Sequence, residues 1–428
     1  LWIHVNGTYI NGTPDFSDGT NKIASPTKTK TFLPFFGASG GGAITWRANF
    51  GQDSAGISSS QSPDNGIGTF EYDVPAGYKA LCSANLPSLA ITDAAEHFTP
   101  YIYTANNAST RSFTGLGFQP DFLWFKARSQ TFSHRLFNSV VGVGTHAYAD
   151  RTDRPAWDSL TSFDADGFSV ETDGAAGNLL NYLTSTYVAW AWKAGTAASG
   201  SESGNNPAFS SSSNADAGFS IVSYTGTGSA GTVSHGCGAK PTMIMIKNRS
   251  ADENWAVYHV GTASDPETDY MILNTTAGAD DSANWWNDTA PTDSVFTVGT
   301  DHTVNADGEN YIAYCFADVE GFSKAGSYTG GGSTFPFVYT GFRPSFVLLK
   351  SITAGNNWSM YDNKRDTDNP VREYLIPNEN YAVASTDTMD FVSNGFKVRN
   401  AGAYINSATV KYVYLAFAEQ PFKFANAR

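Results

Sequence analysis

Three times along this chain a glycine-proline turn leads into a short apolar run that ends in lysine. The copies read GFQPDFLWFK at 117–126, a looser GCGAKPTMIMIK at 236–247, and GFRPSFVLLK at 341–350. Eight residues beyond each lysine stands His134, Trp255 or Trp358, and three further on Phe137, Tyr258 or Tyr361. Each copy closes on a similar strand: YVAWAW from Tyr187, YIAYCF from Tyr311, YVYLAF from Tyr412. The steps from Lys126 to Tyr187, Lys247 to Tyr311 and Lys350 to Tyr412 are 61, 64 and 62 residues. Copies so closely matched in length imply one fold used three times.

What that fold is follows from which residues fill the copies. Only 15% of the 428 residues are charged, and glycine and aromatic residues are abundant, with 41 Gly and 14% Phe, Trp and Tyr. That is the chemistry of short strands and many turns. The runs DFLWFK, MIMIK and FVLLK are apolar at consecutive positions, as in a strand covered on both faces. In the second closing strand Tyr311, Ala313 and Cys315 fall on one face and Ile312, Tyr314 and Phe316 on the other, so this strand is expected at the centre of its sheet. Pro120, Pro241 and Pro344 stand where the run begins, where a missing N–H removes no ladder bond. No stretch carries a sustained apolar stripe at helical spacing, and no apolar run approaches membrane length.

The expected class is therefore all-β, with tandem antiparallel β-sandwich modules of concanavalin or jelly-roll type. The expected boundaries are a first module at 1–94, repeats at 95–194, 218–318 and 319–428, and a Gly/Ser-rich linker or loop at 195–217. Modules in series predict a stiff rod. The three terminal lysines are expected to reach solvent at the strand ends, and His134 to be half-buried. The chain begins at Leu1 inside what reads as a strand, so a further segment is expected to precede it in the natural polypeptide or to have been cleaved from it.

Several functions are made unattractive by composition. A formal charge of −14 opposes nucleic-acid binding, which needs a basic footprint. Three cysteines cannot build a disulfide framework, and none has a partner at zinc-ligand spacing. GTGSAG at 226–231 matches a dinucleotide fingerprint, yet TVSHGCGAKP behind it cannot open a helix, so it reads as a turn. GASGG at 37–41 likewise reads as a glycine-rich hairpin around Ser39.

In the first module HVNG (4–7), FLPFFGAS (32–39), NFGQ (49–52) and FEYDVPAGY (70–78) resemble the C-terminal half of a SPRY domain, a concanavalin-like sandwich. Further on, FSIVSYTGTGSAGTVSHGCG, KNRSADENWAVYH, NYIAYCFADVEGFSKAGSYTG, FVYTGFRPSFVLLK and YLAFAEQPFKFANAR resemble an uncharacterised repeat domain of tailed-bacteriophage virion proteins, often found behind a SPRY-like module. The resemblance covers 95–428. It implies a virion structural or tail-fibre protein, located in the virion or outside the cell. It implies no ligand.

Candidate sites remain. Tyr258 and Tyr361, each three residues beyond a tryptophan and so on the opposite strand face, are glycan-stacking candidates, as are Trp285 and Trp286. Asp362, Asp366 and Asp368 in DNKRDTDNP form a weak calcium candidate, because crowded loop oxygens can hold that ion, although the interleaved Lys and Arg oppose it. Related loops lie at 150–158 and 305–310. No catalytic residue and no cofactor other than calcium is expected. The expected partners are other copies of the chain, virion or filament subunits and host-surface glycans, without nucleic acid or membrane insertion. Two other readings stay open: a surface-polysaccharide hydrolase using acids among Asp362, Asp366, Asp368 and Glu373, and a secreted bacterial adhesin or extracellular filament subunit.

Overall fold

A strand that is apolar on both faces needs a packed layer on each side, and that requirement sets the architecture of the three repeats. The computed structural model describes residues 57–80, 82–85, 91–153, 156–157, 159–172, 180–353 and 355–419, with two short strands at His4–Val5 and Thr8–Tyr9. The chain divides into two units, Leu1–Ser88 and Leu89–Arg428. Its described strands pair antiparallel, and its few helices are single turns. No described helix is long and apolar enough to cross a membrane.

Each repeat in the second unit has an inner sheet with one strand order: opening, closing, lysine and return strand. In repeat one these are Phe98–Thr104, Thr186–Trp192, Phe122–Ala127 and Arg135–Asn138. In repeat two they are Phe219–Thr225, Asn310–Ala317, Pro241–Asn248 and Trp255–His259. In repeat three they are Ser323–Thr329, Lys411–Ala418, Pro344–Ser351 and Ser359–Asp362. The closing strand is paired on both sides, as its two apolar faces require. Pro241 and Pro344 begin their strands, and the register slips directly behind each, so the missing N–H falls at an irregularity.

A second sheet covers the outer face of each inner sheet. Its members are Thr110–Thr114, Gly167–Glu171 and Leu160–Asp164 in repeat one, and Gly231–Ser234 with Val295–Val298 in repeat two. In repeat three they are Phe337–Tyr339, Gly395–Val398, Ala384–Val392 and Val371–Tyr374. Strand alternation decides which side chain enters which core. Tyr187, Ala189 and Ala191 join the core under the outer sheet of repeat one, while Val188, Trp190 and Trp192 point the other way. Tyr311, Ala313 and Cys315 part from Ile312, Tyr314 and Phe316 in the same manner.

The inner faces of all three repeats enter one shared core. Trp192, Phe316 and Phe417 hold the same position near the end of their closing strands and form a triangle, with ring centroids 6.2, 5.7 and 6.0 Å apart. The repeats therefore stand around a common centre with approximate threefold symmetry. Burying one such ring contributes roughly 1.5–3 kcal/mol, and a repeat taken alone would expose its ring. At the other end of each closing strand a tyrosine stacks on the tyrosine of the opening strand: Tyr103 on Tyr187, Tyr224 on Tyr311 and Tyr328 on Tyr412, at 5.0, 5.0 and 5.1 Å.

This closed arrangement corrects two expectations. The repeats are gathered in one compact unit and do not follow one another as beads on a rod. The supposed linker at 195–217 forms the strands Thr196–Gly200 and Phe209–Asn214, which extend the inner sheet of repeat two. Ser211, Ser212 and Ser213 are buried there. In the first unit, 70–78 is not a strand: Phe70 makes an isolated bridge to Gln61, and the chain turns where Tyr78 N–H donates to the Pro75 carbonyl. The other SPRY-like pieces, 32–39 and 49–52, lie outside the described residues, as does 37–41.

Candidate functional site: the joins between repeats

Several of the polar residues that the chain buries lie where one repeat meets the next. The lysine strand, apolar on both faces, carries its terminal lysine inside. Lys126, Lys247 and Lys350 are all fully buried. Each donates to a carbonyl of its own following loop and to one from another repeat. Lys126 Nζ lies 3.2 Å from the oxygens of Gln130 and Asn380. Lys247 Nζ reaches Glu253 and Thr152, both at 2.8 Å. Lys350 Nζ reaches Asn356, and Thr276 at 3.0 Å. Repeat one thus holds repeat three, two holds one, and three holds two. The expectation that these lysines reach solvent is corrected, because the space beyond each strand end is filled by the neighbouring repeat.

Desolvation pushes the Lys126 ammonium down to about 7, and those of Lys247 and Lys350 to about 8. Replacing Lys350 with Met is expected to cost about 2 kcal/mol, since two carbonyls lose their donor while a buried charge is removed. The shift in urea midpoint checks this, and an unchanged midpoint would remove the lysine from the join.

A second set of joins starts at the position eight residues beyond each lysine. Trp255 Nε1 donates to the Tyr148 carbonyl at 2.7 Å, and Trp358 Nε1 to that of Ile272 at 3.0 Å. His134 occupies this place in repeat one. It is fully buried, not half-buried, and its Nδ1 accepts from Trp124 Nε1 at 2.9 Å.

A third set lies four residues further on. Asn138 Nδ2 donates to Tyr314 Oη at 3.0 Å, His259 Nε2 lies 3.0 Å from the Tyr414 carbonyl, and Asp362 Oδ2 accepts from Trp190 Nε1 at 3.0 Å. These run from one to two, two to three and three to one.

His259 Nδ1 accepts the Gly261 N–H at 2.9 Å, so the ring is held neutral with its proton on Nε2. Burial pushes its pKa down to about 4 and holds that of His134 well below the usual histidine range. Between pH 6.5 and 4 the unfolded chain takes up a proton at His259 that the folded chain refuses, so stability falls with pH through that window. The loss is on the order of 3 kcal/mol at pH 4 from His259 alone. Urea midpoints measured from pH 7 to 4 check it, and a flat profile in wild type would exclude the effect.

The sequence-derived candidates fall into this packing. Tyr258 and Tyr361 are fully buried, Trp286 nearly so, and Trp285 is buried as well. Tyr258 meets Trp286 edge-on at 5.9 Å, Trp285 stacks on Tyr270 at 3.8 Å, and Trp286 Nε1 donates to the Asp269 carbonyl at 3.0 Å. The two tryptophans stand on a single helical turn, Ala283–Trp286, and not in an open loop. These four rings therefore offer no face to a sugar, and their assignment as stacking residues is corrected.

Asp362 is also buried, paired with Arg365 at 2.6 Å. Its Oδ1 accepts the N–H groups of Lys364 and Arg365 at 3.1 and 2.9 Å. Asp366 accepts the Arg372 N–H at 2.7 Å, Asp368 takes the Thr367 hydroxyl at 3.5 Å, and Glu373 pairs with Arg128 at 2.8 Å. The calcium candidate is thus corrected: its central carboxylate is enclosed and already neutralised. Among the described residues no group of three or more His, Cys, Asp and Glu side chains is placed to hold a metal ion. The first five residues of GTGSAG, 226–230, form the loop between the strands Phe219–Thr225 and Gly231–Ser234, and Gly231 opens the second of them.

Residues that sequence reasoning passed over include Asn181, Asn305 and Asn406, all fully buried. Each stands six residues before the closing-strand tyrosine, a constant spacing that would have found them. Asn305 donates to the carbonyls of Ser229 and Gly299 at 2.7 Å and accepts the Thr227 N–H at 2.9 Å. Asn406 holds the Gly331 N–H at 2.7 Å and the Gly332 carbonyl at 3.0 Å. Asn305 and Asn406 pin the glycine-rich turns after their opening strands, and Asn181 holds the glycine-free turn at that place in repeat one, accepting the Asn106 N–H at 3.0 Å and donating to the Ala108 carbonyl at 3.1 Å.

Residues 93–421 match the family described as a domain of unknown function, DUF7483, and the chain belongs to that family. The match spans the three repeats as one piece. No curated protein matches the chain.

Proposed function

Starting from membership of a family without a defined role, we propose that this protein is a structural component of a bacteriophage virion, a tail-fibre or appendage protein acting outside the cell. In this reading it is a scaffold and not a catalyst, and its partners are other copies of the chain and neighbouring virion subunits. The observation that supports this best is the cyclic set of joins. The buried polar groups at the ends of the lysine and return strands are spent on fastening repeat to repeat, which suits a part that must hold its form under load. The order of motifs through 95–428, similar to that of repeat domains in virion proteins, points the same way.

The test is to purify virions of the source phage through a density gradient and identify their proteins by mass spectrometry, with immunogold labelling of the particles. The expected result is a constant copy number per particle and label on the tail or its appendages. Recovery only from cell-surface filaments, or only from the soluble lysate, would overturn the proposal.

A further inference from the structure

The outer sheet of repeat three carries an exposed aromatic row that the other repeats lack. Its edge strand Phe337–Tyr339 buries Val338 and turns Phe337 and Tyr339 outward, 49% and 67% exposed, with Phe335 at 45% two residues upstream. Register identifies the equivalent positions. Val338 pairs with Phe396, Phe113 with Phe168, and Val233 with Phe296. The outward neighbours are therefore Ser112 and Thr114 in repeat one, Thr232 and Ser234 in repeat two, and Phe337 and Tyr339 in repeat three. The fold is built twice with small hydroxyl residues at this place, so it does not need the rings. Exposed aromatic groups that the fold does not require mark a contact surface.

Polar groups border the row. Gly395 pairs with Tyr339, and a Cβ there would lie 2.0 Å from the Val338 carbonyl oxygen and 3.1 Å from the Phe337 ring. No side chain can rise between the two rings. Lys397 is exposed opposite Phe337, and Asp390 lies opposite Lys397, paired with Arg399 at 2.8 Å. Alternate residues on a strand are roughly 7 Å apart, so Phe337 and Tyr339 present their rings at about that spacing on the outward face of the strand, with Phe335 just upstream of it. That suits a linear polymer with recurring apolar faces and hydroxyl edges. The formal charge of −14 disfavours a second copy of the chain or an anionic polymer on this face.

We propose that Phe335, Phe337 and Tyr339 form a binding shelf for a neutral glycan, whose sugar rings stack on the aromatic faces while Lys397 meets the hydroxyl groups. The inference deepens the appendage reading and rests on it for the source of the glycan. Its test is independent of where the protein resides. The intact chain is applied to a printed array of neutral gluco-, manno- and galacto-oligosaccharides and neutral bacterial surface polysaccharides, beside the variant F337S/Y339T, which carries the residues of repeat one.

Wild type is expected to bind at least one glycan, with affinity at least about tenfold lower in the double variant and an unchanged melting temperature in both. Tyr339→Thr alone, at the most exposed position, serves if the double variant folds poorly, and is expected to lose part of the binding. A blank array for wild type overturns the proposal, as does equal binding by the variants. So does concentration-dependent dimerisation in sedimentation that F337S/Y339T abolishes, since the row would then join two copies. Virions that contain the protein together with a blank array would sink the shelf and leave the appendage reading standing.

Discussion

Phe417→Ala is expected to destabilise all three repeats together, by about 3–5 kcal/mol, with one unfolding transition retained. The ring stacks on Phe98 at 4.7 Å and meets Trp192, Phe316 and Phe322 at 5.7, 6.0 and 5.7 Å. Those neighbours belong to repeats one, two and three, so the cavity opens at the place all of them share. The cost follows from the lost apolar transfer and from the void that three sheets cannot collapse to fill. Urea unfolding followed by tryptophan fluorescence and by far-ultraviolet circular dichroism checks it. Two separate transitions, with only repeat three released in the first, would show that the repeats fold as independent modules.

A comparable loss, about 3–5 kcal/mol, is expected for Asp362→Ala. Both partners of the Asp362–Arg365 pair are fully enclosed. Removing the carboxylate leaves the guanidinium without a counter-charge and also takes the acceptor from Trp190 Nε1. Arg365 lies 5.7 Å from the Trp190 ring and donates to the Met360 carbonyl at 2.9 Å, so it cannot swing to solvent without breaking the join. The double replacement Asp362→Leu with Arg365→Met is expected to recover much of the loss, because neither charge is then left alone. Thermal melts of the single and double variants decide the point. A single variant within about 0.5 kcal/mol of wild type would mean that the pair contributes nothing to the join.

How much of this was legible in the sequence depends on whether a residue answers to its own strand or to a distant one. The closing strand was readable because Tyr311 to Phe316 are apolar on both parities, and that alone demands a central position. Lys350 was not readable. A lysine at the end of an apolar run looks the same whether its ammonium enters water or the carbonyl of Thr276, seventy-four residues away. The same ambiguity misplaced Tyr258, Tyr361, Trp285 and Trp286, whose amphipathic rings suit a surface and a core equally. The serine-rich strand Phe209–Asn214 lacks the apolar alternation that marks a strand, and its pairing with Phe219–Thr225 supplies the order that its composition does not. The row Phe335, Phe337 and Tyr339 would have appeared had the repeats been aligned on their outer strands, where Ser and Thr give way to aromatic residues.

The triangle of Trp192, Phe316 and Phe417 has one further consequence. A ring assembled from three identical chains must change all its corners whenever it changes one. Here a single polypeptide supplies every corner, so mutation can remodel one and spare its siblings. A trimer-like body with individually adjustable sides is the outcome, and the divergence of repeat three at its outer edge is such an adjustment already made.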